Sequence, residues 1–148
     1  MTVLVHATCV ALRARGRAWR AVLLRGPSGA GKSDLALRLI EAGARLVADD
    51  QTMLVRRGKS IIASSPAKIA GLIEARGVGL VKLARDQLVP RAPVALLVDL
   101  APPERVERMP EPVRERLLGL DLPVLMLAPF EASASAKLRL ALTRIAVA

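Results

Sequence analysis

An eight-residue segment constrains the fold of this chain more than any other feature. It fits the pattern G-x-x-x-x-G-K-[ST] and consists of Gly26, Pro27, Ser28, Gly29, Ala30, Gly31, Lys32 and Ser33. The apolar run 19–25 (WRAVLLR) precedes it, and apolar residues at helical spacing follow it. This strand–loop–helix order lets backbone N–H groups and a helix N-terminus surround phosphate oxygens. The segment therefore predicts a phosphate-binding P-loop in an α/β domain.

Two side chains of the pattern carry the chemistry that such a loop supports. Lys32 supplies a mobile cation for the β- and γ-phosphates, and the Ser33 hydroxyl is a ligand for Mg²⁺. The pattern therefore predicts ATP and Mg²⁺ as ligands and an ATP-using phosphotransferase as the class of protein.

The other apolar runs predict one α/β domain over residues 1–148, with a central mixed sheet flanked by helices. Predicted strands cover 2–12, 19–25, 45–48, 78–83, 94–100 and 122–128, and 51–63 is a predicted hairpin that turns at Arg57-Gly58. Predicted helices run from near Lys32 to Gly43, from Pro66 to just before Gly77, and over 133–147. The stretch 101–116 is rich in Pro, Glu and Arg and carries no predicted strand.

Composition narrows the class of protein further. No apolar run approaches the roughly 20 residues of a membrane span, no signal peptide is evident, and Cys9 is the only cysteine. We therefore expect a cytoplasmic protein without a membrane partner. The formal net charge is +10, but the charges are dispersed and the only aromatics are Trp19 and Phe130. This pattern disfavours nucleic acid as a binding partner and is compatible with an acidic protein partner.

A P-loop enzyme also needs an acidic group for metal binding and chemistry. Asp49-Asp50 ends the run RLVADD, and Asp99 ends VALLVDL in the manner of a Walker B strand. Adjacent carboxylates repel each other unless a cation or proton intervenes, which favours the pair. The residues alone leave both positions open. His6, the only histidine, lies in an apolar run and by itself is typical of a packed core histidine.

Three segments resemble the bacterial HPr kinase/phosphorylase family. The block 26–50 (GPSGAGKSDLALRLIEAGARLVADD) is similar to its P-loop and acidic pair, and 73–80 (IEARGVGL) to its I-E-x-R-G-[LV]-G-[IL] signature. Upstream, 5–7 (VHA) resembles its V-H-[GA] strand. The similarity covers about residues 4–83, with a weaker continuation. It implies the family's C-terminal catalytic-domain fold, and we expect no N-terminal regulatory domain.

The resemblance also implies an activity and a partner. The expected reaction is ATP-dependent phosphorylation of a serine in HPr, the phosphocarrier protein of the phosphotransferase system, with phosphorolysis of phosphoseryl-HPr as its reverse. The segment near 123–132 departs from the family's P-V-x-x-G-R-N-like pattern, which is associated with dephosphorylation. The basic insertion between Arg13 and Arg20 is a second departure. Homo-oligomer formation stays open.

Residue roles follow from the same resemblance. It implies that Lys32 and the loop bind the ATP phosphates and that Ser33 and Glu74 bind Mg²⁺. It implies that Asp50 accepts the serine proton and that Asp49 supports it. His6 is expected near the phosphates, and Arg108 is expected to be a catalytic arginine.

Two other classes remain as alternatives. A small-molecule or nucleotide kinase of the P-loop class would use an arginine-rich lid, for which Arg105, Arg108, Arg114 and Arg116 are candidates. A nucleotide-gated regulator is the other, although the chain has no asparagine and therefore no N-K-x-D guanine motif.

Overall fold

The structure is a computed structural model that describes residues 2–145. Within them the strands are β1 (Thr2–Val5), β2 (Ala7–Leu12), β3 (Arg20–Arg25), β4 (Arg45–Ala48), β5 (Thr52–Arg57), β6 (Ser60–Ser64), β7 (Leu72–Ala75), β8 (Gly79–Lys82), β9 (Arg91–Leu100), β10 (Val113–Leu117) and β11 (Leu120–Leu127). The α-helices are α1 (Lys32–Glu41) and α2 (Ala134–Arg144). Single turns of 3₁₀ helix cover Ala67–Ile69, Arg85–Gln87 and Pro103–Arg105.

Nine strands form one mixed sheet in the order β1-β5-β6-β9-β3-β2-β4, with β11 beside β9 and β10 beside β11. Strand β9 is parallel to both β3 and β11. Strand β2 is antiparallel to both β3 and β4, so β4 runs in the same direction as β3. The carboxyl ends of β3, β4, β9 and β11 therefore meet at one edge of the sheet, where α/β folds usually bind ligands.

Alternating side chains of the sheet build a separate core on each face. In β3, Val22 and Leu24 pack in the core that includes Leu35 of α1 and Leu138 of α2. Leu23 of the same strand packs instead in the core that includes β5 and β6. Both helices therefore lie on one face, and strands of the curled sheet cover the other. No helix in the described part of the chain is long and apolar enough to cross a membrane.

Helix α1 has the start and the end that the sequence predicts. It begins at Lys32 after Gly31, whose φ of 100° is left-handed. At its end the Gly43 N–H donates to the Ile40 carbonyl and the Ala44 N–H to the Leu39 carbonyl, with Gly43 at φ 106°. This is the Schellman arrangement, which satisfies the last helix carbonyls and favours glycine.

Most predicted strands are confirmed, and three segments differ from the prediction. The predicted strand 2–12 divides at His6, because β1 pairs with β5 whereas β2 pairs with β3. Strand β10 lies partly within 101–116, where no strand was predicted, and it forms a hairpin with β11. The predicted helix 133–147 is α2, which ends at Arg144; residues 146–147 lie outside the described residues.

The prediction of a helix from Pro66 to just before Gly77 is wrong. A single 3₁₀ turn is followed by Gly71 at φ 79°, a left-handed conformation that a right-handed helix cannot contain. The chain then forms β7, which pairs with β8 as a separate hairpin. The Leu83 N–H donates to the Gly71 carbonyl and closes the base of that hairpin. Glu74 therefore lies on a strand.

The core on the helical side yields a stability prediction. Leu39 is 0% exposed, so we expect Leu39→Ala to lower the free energy of unfolding by about 2–5 kcal/mol. Leu140 of α2 is 64% exposed, and Leu140→Ala should change it by less than about 0.5 kcal/mol. Urea denaturation followed by circular dichroism measures both. Equal effects of the two substitutions would contradict the described packing.

Candidate active site

The P-loop connects β3 to α1 at the carboxyl edge of the sheet. Gly29 and Gly31 adopt positive φ values of 83° and 100°, conformations that are accessible mainly to glycine. A Cβ at Gly31 would also lie 2.8 Å from Cζ of Phe130, so a larger residue there would displace the ring. The loop thus presents backbone N–H groups and the N-terminus of α1 to the space above it, as an anion site requires.

Lys32 is held against the loop that it follows. Its Nζ donates to the carbonyl oxygens of Gly26 at 2.6 Å and Pro27 at 3.0 Å, and the side chain is buried. Within residues 2–145, none of the ion pairs joins this ammonium group to a carboxylate. The positive charge is therefore available to a bound anion.

Asp49 joins three parts of the site through its buried carboxylate. Its Oδ1 accepts hydrogen bonds from Ser33 Oγ at 2.6 Å and Thr8 Oγ1 at 2.9 Å. Its Oδ2 accepts from the Glu74 backbone N–H at 2.9 Å. Because these donors belong to α1, β2 and β7, the carboxylate fixes the P-loop helix relative to the sheet and to the β7–β8 hairpin.

Asp50 has a strained backbone and an exposed side chain. Its φ is 64°, and the Gln51 N–H donates to the Asp49 carbonyl at 2.7 Å, which closes a three-residue turn around Asp50. A γ-turn with positive φ is rare and strained. The Asp50 N–H donates to Thr8 Oγ1 at 3.0 Å and helps to hold that turn. Strain of this kind concentrates at functional sites, and here it turns the carboxylate away from the core.

His6 contacts the exposed carboxylate directly. Its Nε2 lies 2.7 Å from Oδ1 of Asp50, and both side chains are at least half exposed, at 50% and 64%. An ionised carboxylate can only accept, so Nε2 carries the hydrogen in this contact. His6 lies at the bend between β1 and β2, and the alternative of a packed core histidine is wrong.

The P-loop, Asp50 and the β7–β8 hairpin enclose a cleft of about 320 Å³. Glu74 and Arg76 of the hairpin line this cleft together with Lys32 and Ser33 of the loop. Arg76 has no predicted site role, although it lies inside the signature segment 73–80. Two further residues lack a predicted site role. The role of Thr8 depends on the pairing of β2 with β4, and Phe130 reaches the cleft from the segment after β11.

The donors around this cleft suit Mg²⁺. Ser33 and Glu74 line it and carry oxygen atoms. The Ser33 hydroxyl donates its hydrogen bond to Asp49, which leaves the hydroxyl lone pairs for a cation. Within the described residues there is no group of three or more His, Cys, Asp or Glu side chains arranged around a metal. Mg²⁺ usually takes one or two protein groups plus waters and phosphate oxygens rather than an all-protein cage, so the donor set fits.

Asp99 belongs to a different cluster. Its two carboxylate oxygens accept from Arg25 Nε at 2.7 Å and Nη2 at 3.1 Å, and Glu115 accepts two further bonds from the same guanidinium. The hydrogen bond to Glu115 is the largest cause of a raised Arg25 pKa, and the same bond lowers the pKa of Glu115. The geometry therefore favours Asp49-Asp50 over Asp99 as the acidic partner of the P-loop.

Arg108 is not brought to the cleft. It is exposed between the 3₁₀ turn Pro103–Arg105 and β10 and does not line the cleft. Its expected role as a catalytic arginine stays a prediction.

Comparison with known proteins agrees with this geometry. The family described as the HPr Serine kinase C-terminal domain matches residues 2–124. The chain belongs to this family. As a member of the HPr serine kinase family it is similar to the HPr kinase/phosphorylases of Chlorobaculum tepidum, 38% identical over 119 residues, and Geobacillus thermodenitrificans, 33% identical over 111 residues. These matches cover 74% and 69% of the chain but only 35% and 36% of the relatives.

A solved structure of the same family has the same fold. The Hpr(Ser) kinase/phosphatase from Coxiella burnetii matches with a TM-score of 0.81 at 26% identity, over 96% of this chain and 94% of that one. The expected HPr kinase catalytic-domain fold, with its central mixed sheet, is confirmed. The chain spans about a third of the length of the curated relatives named above.

The adjacent aspartates of this HPr kinase-family site should differ in their effect on stability. Asp49→Asn replaces one carboxylate oxygen by an NH₂ group, which would face hydrogen-bond donors instead of accepting from them. We therefore expect it to lower the free energy of unfolding by about 1–3 kcal/mol. Asp50→Asn alters an exposed carboxylate and should change the free energy of unfolding by less than about 0.5 kcal/mol. Urea denaturation measures both, and Asp50→Asn is the matched control. A larger loss from Asp50→Asn would contradict the assignment of Asp49 as the structural acid.

Proposed function

We propose that this chain is an ATP-dependent serine kinase domain that phosphorylates the phosphocarrier protein HPr in the cytoplasm. The observation that carries the proposal is the Asp50 carboxylate, exposed and oriented by His6 beside a P-loop cleft. Membership of the HPr serine kinase family supports HPr as the acceptor, since the relatives are named HPr kinase/phosphorylase.

The P-loop side of the cleft would bind ATP. The backbone N–H groups of the loop and the N-terminus of α1 would surround the phosphates, and Lys32 would exchange its carbonyl partners for phosphate oxygens. Ser33 and Glu74 would hold Mg²⁺, which neutralises charge on the β- and γ-phosphates. Arg76 lines the cleft, and we infer that it supplies a further cation to the transferred group.

Asp50 would act as the general base. As the serine Oγ forms its bond to the γ-phosphorus and the bond from that phosphorus to ADP breaks, the serine proton moves to the Asp50 carboxylate. The hydrogen bond from His6 would orient this carboxylate, and Asp49 would hold the turn beneath it. In phosphorolysis, an oxygen of inorganic phosphate would attack the phosphorus of phosphoserine, and the bond from that phosphorus to the serine Oγ would break. The products would be pyrophosphate and serine, with protonated Asp50 giving its proton to the departing Oγ.

The surroundings of Asp50 suit a protein acceptor better than a small metabolite. A second open cleft of about 620 Å³ adjoins it and is bounded by the β7–β8 hairpin. That hairpin exposes Val78 at 79% and Leu80 at 69%. Small-molecule sites usually bury most of their ligand, whereas exposed apolar side chains beside an open groove are typical of a protein-binding surface. The same features disfavour the alternative of a small-molecule kinase.

The proposal predicts phosphoserine on HPr. Incubation of the protein with HPr, ATP and Mg²⁺ should add one phosphoryl group to HPr, detected by intact-mass measurement and assigned to a serine by peptide sequencing. Asp50→Asn should lower the transfer rate by about 10²–10⁴-fold, because a general base contributes about that factor.

Asp86→Asn is the matched control, since Asp86 is exposed and does not line the cleft, and it should retain wild-type transfer. Transfer to metabolites in a screen, with no phosphoserine on HPr, would contradict the HPr assignment. Full transfer by Asp50→Asn would contradict the general-base role.

A further inference from the structure

An apolar pocket of about 540 Å³ lies at the same edge of the sheet as the P-loop. Its walls come from three segments that follow parallel strands. They include Pro27 and Ala30 of the P-loop after β3, Leu100 and Pro102 at the end of β9, and Pro129 and Phe130 after β11. The reaction described above uses no part of this pocket beyond the P-loop itself.

The strand order fixes the side of the P-loop on which this pocket lies. In the sequence of neighbours β11-β9-β3-β2-β4, the loop follows β3. Asp49 and Asp50 follow β4 on one side, whereas the other pocket walls follow β9 and β11 on the opposite side. The acidic pair and the apolar pocket therefore flank the phosphate site.

Phe130 forms the boundary between the two cavities. It lines both the phosphate cleft and the apolar pocket, and it is 69% exposed. Its Cζ would lie only 2.8 Å from a Cβ at Gly31, so the tip of the ring lies against the P-loop. A ring that contacts the loop at its tip and is otherwise exposed presents an aromatic surface to whatever fills the pocket. The ring of Trp19 is instead in contact with two guanidinium groups, those of Arg13 at 4.2 Å and Arg45 at 5.0 Å from its centroid.

We propose that this pocket binds the base of the nucleotide whose phosphates occupy the P-loop, and that the base stacks on Phe130. The inference rests on the proposed function, because both sites must hold one molecule. Planar aromatic bases stack on aromatic side chains, and small-molecule sites are concave and mostly apolar. The nucleotide thus lies along the edge of the sheet, with its base at Phe130 and its terminal phosphate toward Asp50.

Comparing two ligands separates the base site from the phosphate site. Tripolyphosphate presents the phosphates of ATP without ribose or base. A difference in affinity between ATP and tripolyphosphate therefore reports contacts outside the phosphate site. With Mg²⁺ present, calorimetry should show that the wild-type protein binds ATP about tenfold or more tightly than tripolyphosphate, in line with the contribution of one stacked base. Phe130→Ala should weaken ATP binding by about tenfold and leave tripolyphosphate binding within about twofold.

Two control variants define the role of the ring. Leu140→Ala removes another exposed apolar side chain, 64% exposed on α2, and should leave both affinities unchanged. Phe130→Trp keeps an aromatic surface and should restore most of the ATP affinity. If Phe130→Ala instead lowers the affinity for both ligands equally, the ring supports the P-loop through Gly31. That result would overturn the base site.

The remaining outcomes separate this inference from the proposed function. Equal wild-type affinities for ATP and tripolyphosphate would overturn the base site and leave the phosphate site standing. If neither ATP nor tripolyphosphate binds, both the proposed function and this inference are overturned. A wild-type protein that self-associates, becomes monomeric in Phe130→Ala and keeps its ATP affinity would assign the pocket to a second copy of the chain and overturn the proposal.

Discussion

The carboxylate of Asp49 is the interaction on which the site depends. It accepts from Thr8, Ser33 and the Glu74 backbone, and so it connects a central strand, the first turn of the P-loop helix and the β7–β8 hairpin. A buried carboxylate is costly unless donors satisfy it, and three donors do so here. Because those donors come from three separate elements, the acid fixes their relative positions.

The adjacent residue has the opposite environment because of the backbone turn between them. Asp49 is 6% exposed, whereas the side chain of Asp50 is 64% exposed. The positive φ of Asp50 reverses the chain direction within one residue, so one carboxylate stays in the core and the next reaches the cleft. The hydrogen bonds to Thr8 and across the turn hold this conformation. Strain at Asp50 is thus retained by contacts that Asp49 organises, and the two acids act as one unit.

How far the sequence alone reaches depends on whether a feature is local. The P-loop, the start of α1 at Lys32 and its end at Gly43 follow from spacing and glycine chemistry, and they are confirmed. The helix predicted over 66–76 is wrong because the left-handed Gly71 and the pairing with β8 override a local sequence pattern that suits a helix. The contacts of Thr8 and Phe130 depend on which strands are neighbours, and local patterns do not carry this information.

The charge distribution around the P-loop explains why Lys32, rather than the arginine before the loop, faces the phosphate site. Arg25 ends β3 immediately before Gly26, but Asp99 and Glu115 each accept two hydrogen bonds from it. The two carboxylates therefore neutralise the positive charge of Arg25, and its guanidinium group faces β9 and β10. Lys32 has only carbonyl partners, which are weaker competitors for an ammonium group than a phosphate dianion. Asp99, near the end of β9, thus engages Arg25, whereas Lys32 stays free of carboxylate partners within the described residues and lines the cleft beside Asp50, the proposed base.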